Sequence, residues 1–249
     1  MAYYDDFNYE KYWQGRDYED QAERIALKKL IPQDESFHDM IEVGCGYGRM
    51  ATFYHSLFRK CTLVDPSCKL LDEAKENLKD LKNFAFICAS ADKIPLEKHS
   101  VNFCLMIRVC HHLPDLEPSL KEINRILKPK GFLIIEFANK INLKARIRSY
   151  LHGDFQFTHN QLPIDLRSSR KRNQNYINFS AHHPIFVQKI LKRNGFKIEK
   201  ILSVSNFRQP ILKKIIPLKV LLILENISQE ILGKFFFGPS IFMLCRKNP

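Results

Sequence analysis

Apolar positions along the first part of this 249-residue chain fall into short runs separated by longer stretches of helical spacing. Ala22, Ile25, Ala26 and Leu30 recur at steps of three and four, which predicts a helix within 18–30. Short apolar runs follow at Met40–Val43, Cys61–Val64, Phe84–Cys88, Val101–Ile107 and Phe132–Phe137. Between them lie stretches of helical character at Arg49–Phe58, Lys69–Leu81 and Leu116–Leu127. Short strands alternating with longer helices predict a parallel sheet covered on both faces, a doubly wound α/β fold.

After Ala138 this rhythm breaks. Residues 140–182 are polar, aromatic and basic, with Arg146, Arg148, Arg167, Arg170, Lys171 and Arg172, and read as an insertion or lid. A helix starting near Pro184 puts Phe186, Val187, Ile190 and Leu191 on one side and stops at Gly195. Strands are expected at Phe196–Val204 and Ser240–Cys245. Between them, 207–239 is apolar with Lys213, Lys214, Lys219 and Lys234 interspersed, the pattern of one or two amphipathic helices. The expected organisation is one domain over 1–249. It comprises an N-terminal arm and helix (1–37), a core (38–139), a basic insertion (140–182) and a C-terminal part (183–249) that carries the amphipathic stretch.

Composition narrows the class, and charge then divides the chain. With 45% apolar and 27% charged residues, the sequence has the balance of a globular domain with a sizeable core, which excludes disorder and collagen-like structure. The net charge of +12 is unevenly placed: residues 1–140 hold 20 Lys/Arg against 22 Asp/Glu, whereas 141–249 hold 19 against 5. The seven cysteines show no CxxC pair and no Cys/His ligand spacing, so neither a zinc site nor a disulfide framework is expected, and no metal is assigned. Cysteines in strand-like apolar runs act as small hydrophobes, which suggests a reducing, cytoplasmic compartment. The start of the chain has no apolar signal region, and Lys219, Glu225 and Lys234 interrupt the late apolar stretches, so no spanning helix is expected. Nothing in the pattern specifies an oligomeric state.

The chemistry-bearing signal is Ile41-Glu42-Val43-Gly44-Cys45-Gly46-Tyr47-Gly48, at the end of the first strand. Glycines there let the backbone turn tightly and approach a ligand closely, and a following helix offers free N–H groups. The spacing is GxGxG, one residue shorter than the dinucleotide fingerprint, with Glu42 two positions before it. The second strand ends at Asp65, where a carboxylate can accept both hydroxyls of a ribose; a turn-forming Asp ahead of Pro66 is the plainer alternative. Ala91-Asp92 follows the third strand and can meet an exocyclic adenine amine, or simply make a solvated turn.

Taken together, EVGCGYGRM, VDPS, the Ala91-Asp92 stretch, VCHHL and EINRILKPKGFLIIEF make the chain resemble the class I S-adenosylmethionine-dependent methyltransferases. The nearest likeness is to the type 11 group that includes ubiquinone/menaquinone C-methyltransferases, and it covers roughly 38–138. It implies a seven-stranded, mostly parallel Rossmann-like sheet with an antiparallel last strand, which suits the late strand pair. It implies S-adenosyl-L-methionine as cofactor, with Glu42, Gly44, Gly46 and Gly48 around the methionine portion, Asp65 on the ribose and Asp92 with Ala91 at the adenine. Cys45 and Pro66 join the candidate cofactor contacts, and Arg108 matches the position beside the cofactor. Two departures, Asn102-Phe103 and Pro129-Lys130-Gly131, fall at a strand start and a turn.

Methyl transfer needs in-line placement and often a base. His111 and His112 are the candidate catalytic bases, against the plainer reading that one of them caps the loop or packs under the cofactor. Cys110 beside them has nothing to orient it as a nucleophile. The aromatic arm (Tyr3, Tyr4, Phe7, Tyr9, Tyr12 and Trp13) can fold over a nucleoside or substrate, with Arg16 a candidate partner for the cofactor carboxylate. His182 and His183 read as a helix cap. Arg167, Arg170 and Arg172, with Lys171, would draw an anionic substrate, and the lysine-studded 207–239 stretch could lie on a membrane surface. A basic patch also suits nucleic acid, but Arg108-Val-Cys-His-His lacks the Asp/Asn-Pro-Pro-aromatic sequence of nucleic-acid amine methylation. The expected function is therefore methyl transfer to O, N or C of a small-molecule or lipid-like, anionic acceptor. The rival is a non-catalytic cofactor-binding or interaction protein on the same fold.

Overall fold

The computed structural model describes residues 9–32, 37–173 and 177–249. A short α1 (Tyr9–Trp13) and α2 (Asp17–Leu30) precede β1 (Phe37–Val43), α3 (Ala51–Tyr54), β2 (Phe58–Asp65), α4 (Cys68–Asn77), β3 (Phe84–Cys88), β4 (Val101–Met106), α5 (Glu117–Ile126) and β5 (Leu127–Ala138). The insertion contributes α6 (Leu143–Leu151), β6 (Ile164–Asp165), α7 (Ser169–Asn173) and β7 (Ser180–Ala181). The chain closes with α8 (Pro184–Arg193), β8 (Phe196–Val204), α9 (Pro210–Ile215), α10 (Leu218–Gly233) and β9 (Ser240–Lys247).

Seven strands form one sheet in the order β3-β2-β1-β4-β5-β9-β8. The first five run parallel, and β9 is antiparallel to both β5 and β8. This is the expected doubly wound α/β architecture. Alternate strand residues feed opposite faces: Met40, Phe103 and Phe132 pack in the layer that holds Leu27 of α2, whereas Ile41, Cys104 and Leu133 pack in the layer that holds Leu120 and Val187 of α5 and α8. Burial on both faces is why the central strands read as unbroken apolar runs. Among the described residues, side chains cap three helices: Ser67 accepts from Leu70 N, Asn142 from Ala145 N and His183 from Ile185 N.

The structure corrects two expectations. The helix expected over 49–58 is only α3 plus a 3₁₀ turn at His55–Leu57, because Phe58 already pairs with Phe37 as β2 begins. Cysteine pairing was not expected, yet Cys68 and Cys88 form a disulfide. The β2/β3 register sets Cys88 beside Asp65, three residues before Cys68, so contacts between strands create a proximity that a separation of 20 residues conceals. The other five cysteines are buried thiols.

Candidate functional site

Strands β1 and β4 are neighbours at the centre of the sheet, and the chain continues from them to opposite sides. Such a reversal of strand order opens a crevice at the carboxyl ends of the strands, where open α/β sheets take ligands. A cavity of about 1020 Å³ lies there. Its floor is the glycine-rich turn, in which Gly44 N and Cys45 N donate to Val64 O at 2.7 and 3.1 Å, and Gly46 N donates to Asp65 Oδ2 at 2.8 Å. Gly44 (φ +75°) has no room for a side chain, since a Cβ would sit 2.2 Å from Val109 Cγ2. Gly46 (φ +55°) meets no protein atom within 4 Å in that direction, so its bare backbone faces open space. Gly48 belongs to the same motif but does not line the cavity, because it packs against Ala74 of α4 and Leu78 just after that helix.

Three carboxylates expected at the cofactor line this cavity: Glu42, Asp65 and Asp92. Asp65 makes the turn and keeps its place on the cavity wall. Its Oδ1 accepts from Ser67 N at 2.9 Å, which makes the turn, while the group remains on the cavity wall with Pro66. Glu42 is buried and accepts from Tyr54 Oη, and burial pushes its carboxyl up to about 7. Asp92 is exposed at the rim beside Ala91. Cys45 lines the cavity too, but burial raises its thiol well above the usual range, as it does for Cys110. Neither is an activated nucleophile.

A charged knot that sequence reading missed holds one side of the site. Glu23 of α2, fully buried, accepts from Arg49 Nη2 at 2.6 Å and from Arg108 Nε at 2.7 Å. Trp13 covers both cations, with the guanidinium carbons of Arg49 and Arg108 lying 3.7 and 4.7 Å from its ring centroid. Arg108 takes a left-handed backbone (φ +59°), and its N–H donates to the buried Glu136 at 2.8 Å. Burial works against the charge on Arg108, but the Glu23 and Glu136 carboxylates outweigh it and raise the guanidinium pKa. Arg49, Arg108, Tyr12 and Trp13 all line the cavity. A signal for Glu23 was present in the sequence: it is an acid flanked by Ala22 and Ala26 on the apolar stripe of α2. Arg16, expected as a partner for the cofactor carboxylate, stacks on Tyr12 at 4.0 Å and is not on the cavity wall. Tyr3, Tyr4, Phe7 and the Tyr9 side chain lie outside the described residues.

His111 and His112 sit on a 3₁₀ turn past β4 and both face the cavity. Burial pushes the pKa of each down, His111 well below the ordinary imidazole range, with neighbouring His112 and Arg108 adding to the effect. His112 Nδ1 lies 2.8 Å from Asn178 O, a carbonyl that can only accept, so Nδ1 carries the proton and Nε2 the lone pair. His111 packs against Phe179 with ring centroids 4.7 Å apart. His183 caps α8 and reaches Thr158 O, and His182 reaches Cys110 O, which gives both the structural role expected of them.

The insertion supplies the remaining wall. Arg167 and Lys171 line the cavity, with Arg167 fixed by Asp165 at 2.8 Å. Arg170 and Arg172, also expected to meet substrate, are exposed on α7 and do not line it, because only one side of that single helical turn faces inward.

Residues 41–135 match the family described as Methyltransferase domain. An uncharacterized protein of Methanocaldococcus jannaschii is 33% identical over 142 residues, 57% of this chain and 58% of that protein. A demethylmenaquinone methyltransferase of Chlamydia pneumoniae is 33% identical over 108 residues, 43% of this chain and 46% of its own length. The chain thus spans about half the length of the curated relatives it matches. The crystal structure of a SAM-dependent methyltransferase from Thermotoga maritima superposes with a TM-score of 0.66 at 19% identity, covering 99% of this chain and 98% of that one, which establishes the shared fold.

Proposed function

We propose that this chain, whose residues 41–135 match the methyltransferase-domain family, transfers a methyl group from S-adenosylmethionine to a small-molecule or lipid-like, anionic acceptor. The observation that carries the proposal is the bare Gly46 backbone opening onto a cavity whose wall places Asp65 and Asp92 beyond adjacent strands. The donor set suits the cofactor's chemistry: one carboxylate at the end of β2 for ribose hydroxyls, another at the rim for an adenine amine, and a carboxylate and cations by the glycine turn for the amino-acid end. S-adenosylmethionine, when bound, supplies an electrophilic methyl on a sulfonium.

The chain's own groups then have defined tasks. Asp65, held by two backbone N–H groups, orients the nucleoside. Arg49 and Arg108, aligned by Glu23 under Trp13, present positive charge to a carboxylate. His112 Nε2, unprotonated at neutral pH, removes the acceptor's proton, and His111 supports it through the Phe179 stack. Arg167 and Lys171 draw an anionic acceptor to the cavity. A cytoplasmic location fits the five buried thiols, and the Cys68–Cys88 disulfide stands against it.

Calorimetric titration with S-adenosylmethionine tests the first step. Binding is expected, and Asp65→Ala should weaken it at least tenfold; absence of binding, or indifference to that substitution, refutes the cofactor assignment. Incubation with labelled cofactor and separate metabolite, lipid and RNA fractions tests the second step. Label in the first two fractions supports the acceptor class, label in RNA overturns it, and no product in any fraction favours the non-catalytic rival.

A further inference from the structure

The polarity of α10 is reversed. Leu221, Glu225, Gln229 and Gly233, spaced four apart, form its buried side. Glu225 accepts from Tyr18 Oη at 2.6 Å and from Ser205 N at 2.8 Å, and Gln229 donates to Ala22 O at 2.9 Å. The opposite side carries Val220, Ile223, Leu224, Ile227 and Ile231, between 41% and 65% exposed. The preceding α9 continues the pattern with Ile211 and Ile215, 70% and 73% exposed. A helix that meets only water puts its polar residues outward. Here branched aliphatic side chains face out while a carboxylate and an amide face in, and a contiguous apolar surface of this kind marks an interaction site.

Charge identifies the partner. Lys214, Lys219 and Lys234 are exposed along the same segment. The acids of 207–239 are Glu225, which is buried, and Glu230, which is paired with Lys200 at 3.0 Å. A second copy of this chain would set the same lysines against one another. An anionic lipid surface would neutralise them and accept the aliphatic side chains. At ~1.5 Å per residue α10 is about 24 Å long, shorter than a hydrocarbon core of ~30 Å, and no described helix is long and apolar enough to cross a membrane.

Helix α6 extends this arrangement. It abuts the end of α10, where Leu143 N donates to Phe237 O at 2.8 Å and Arg146 donates to Phe236 O at 3.2 Å. It exposes Ile147, Tyr150 and Leu151 beside the exposed Lys144 and Arg148. We infer that α9, α10 and α6 form a docking face for an anionic bilayer, with their apolar residues at the acyl boundary and their lysines among the headgroups. The face is mechanically joined to the candidate active site, since Lys213 of α9 pairs with Glu19 at 3.0 Å, one turn of α2 before Glu23. The inference deepens the proposed lipid-like acceptor, but docking itself does not depend on catalysis.

Co-sedimentation of the full chain with vesicles of phosphatidylcholine, alone or mixed with phosphatidylglycerol, tests it. Binding is expected only to the mixed vesicles. Each lysine near the surface contributes roughly fivefold, so Lys214→Gln, Lys219→Gln and Lys234→Gln together should weaken binding on the order of a hundredfold. Ile223→Asp with Ile227→Asp should abolish it while S-adenosylmethionine affinity stays unchanged, which also reports an intact fold. No binding to mixed vesicles, or equal binding by these variants, overturns the inference. So does a dimer in sedimentation equilibrium that the two aspartates dissociate, because the face would then belong to a second copy. Vesicle binding without any cofactor binding would leave docking standing and remove the proposed function.

Discussion

Glu23→Gln is the sharpest probe of the charged knot. Glutamine keeps the shape of the side chain, so no cavity opens, but it removes the charge and turns an N–H₂ toward one of two guanidinium groups. The glutamate is fully buried, while the Arg49 and Arg108 side chains are 13% and 28% exposed. Removing one partner of a buried ion pair costs about 3–5 kcal/mol. Partial access of water to Arg108 argues for the lower end, about 3 kcal/mol. In a domain of this size about 2–4 °C of Tm follows each kcal/mol, so scanning calorimetry should show a fall of about 6–12 °C. Because the knot also aligns both cations on the cavity wall, S-adenosylmethionine affinity should drop at least tenfold, equivalent to about 1.4 kcal/mol. A double-mutant cycle with Arg49→Met isolates the pair and should return clear coupling between the two sites. A Tm within about 1–2 °C of wild type, the range of an ordinary surface substitution, together with unchanged cofactor affinity, would refute the role given to Glu23.

Three further outcomes are expected. Gly44→Ala should destabilise the fold, because its Cβ would meet Val109 at 2.2 Å, whereas Gly46→Ala should fold with only a modest backbone penalty of about 1–2 kcal/mol and lose cofactor binding; thermal unfolding beside calorimetric titration separates the two effects. Burial depresses the pKa of His111 and His112, so activity should fall as pH drops below the ordinary histidine range near ~6.5. His112→Gln should erase that acid limb and slow turnover by about 10²–10⁴-fold, while His111→Gln should keep the limb. By the same linkage, both rings contribute stability that is present above ~6.5 and lost as pH falls through their folded values, measurable as Tm against pH. Finally, closing a loop of 20 residues should make Cys68–Cys88 worth about 3 kcal/mol, so denaturant unfolding with and without reductant should differ by that amount, and Cys68→Ser should remove the difference.

The local signals in this chain were strong because each rests on neighbouring residues. Short unbroken apolar runs marked the central strands and apolar steps of three and four marked the helices, the glycine turn marked the end of β1, and acids placed after successive strands put Asp65 and Asp92 among the candidates. The basic surplus beyond residue 140 was visible in the same way. What stayed hidden depends on residues far apart in the chain that the sheet brings together. The Glu23 knot joins α2, the glycine loop and the exit of β4. The Cys68–Cys88 bond follows from the register between β2 and β3. Gly48 and Arg16 carry the right residue types, yet packing against α4 and stacking on Tyr12 take them off the cavity. For α10 the sequence determined an amphipathic helix, but periodicity cannot say which side of a helix meets the protein. That choice was made in tertiary structure, where Tyr18 and the Ser205–Asn206 backbone satisfy Glu225 and so turn the aliphatic stripe outward.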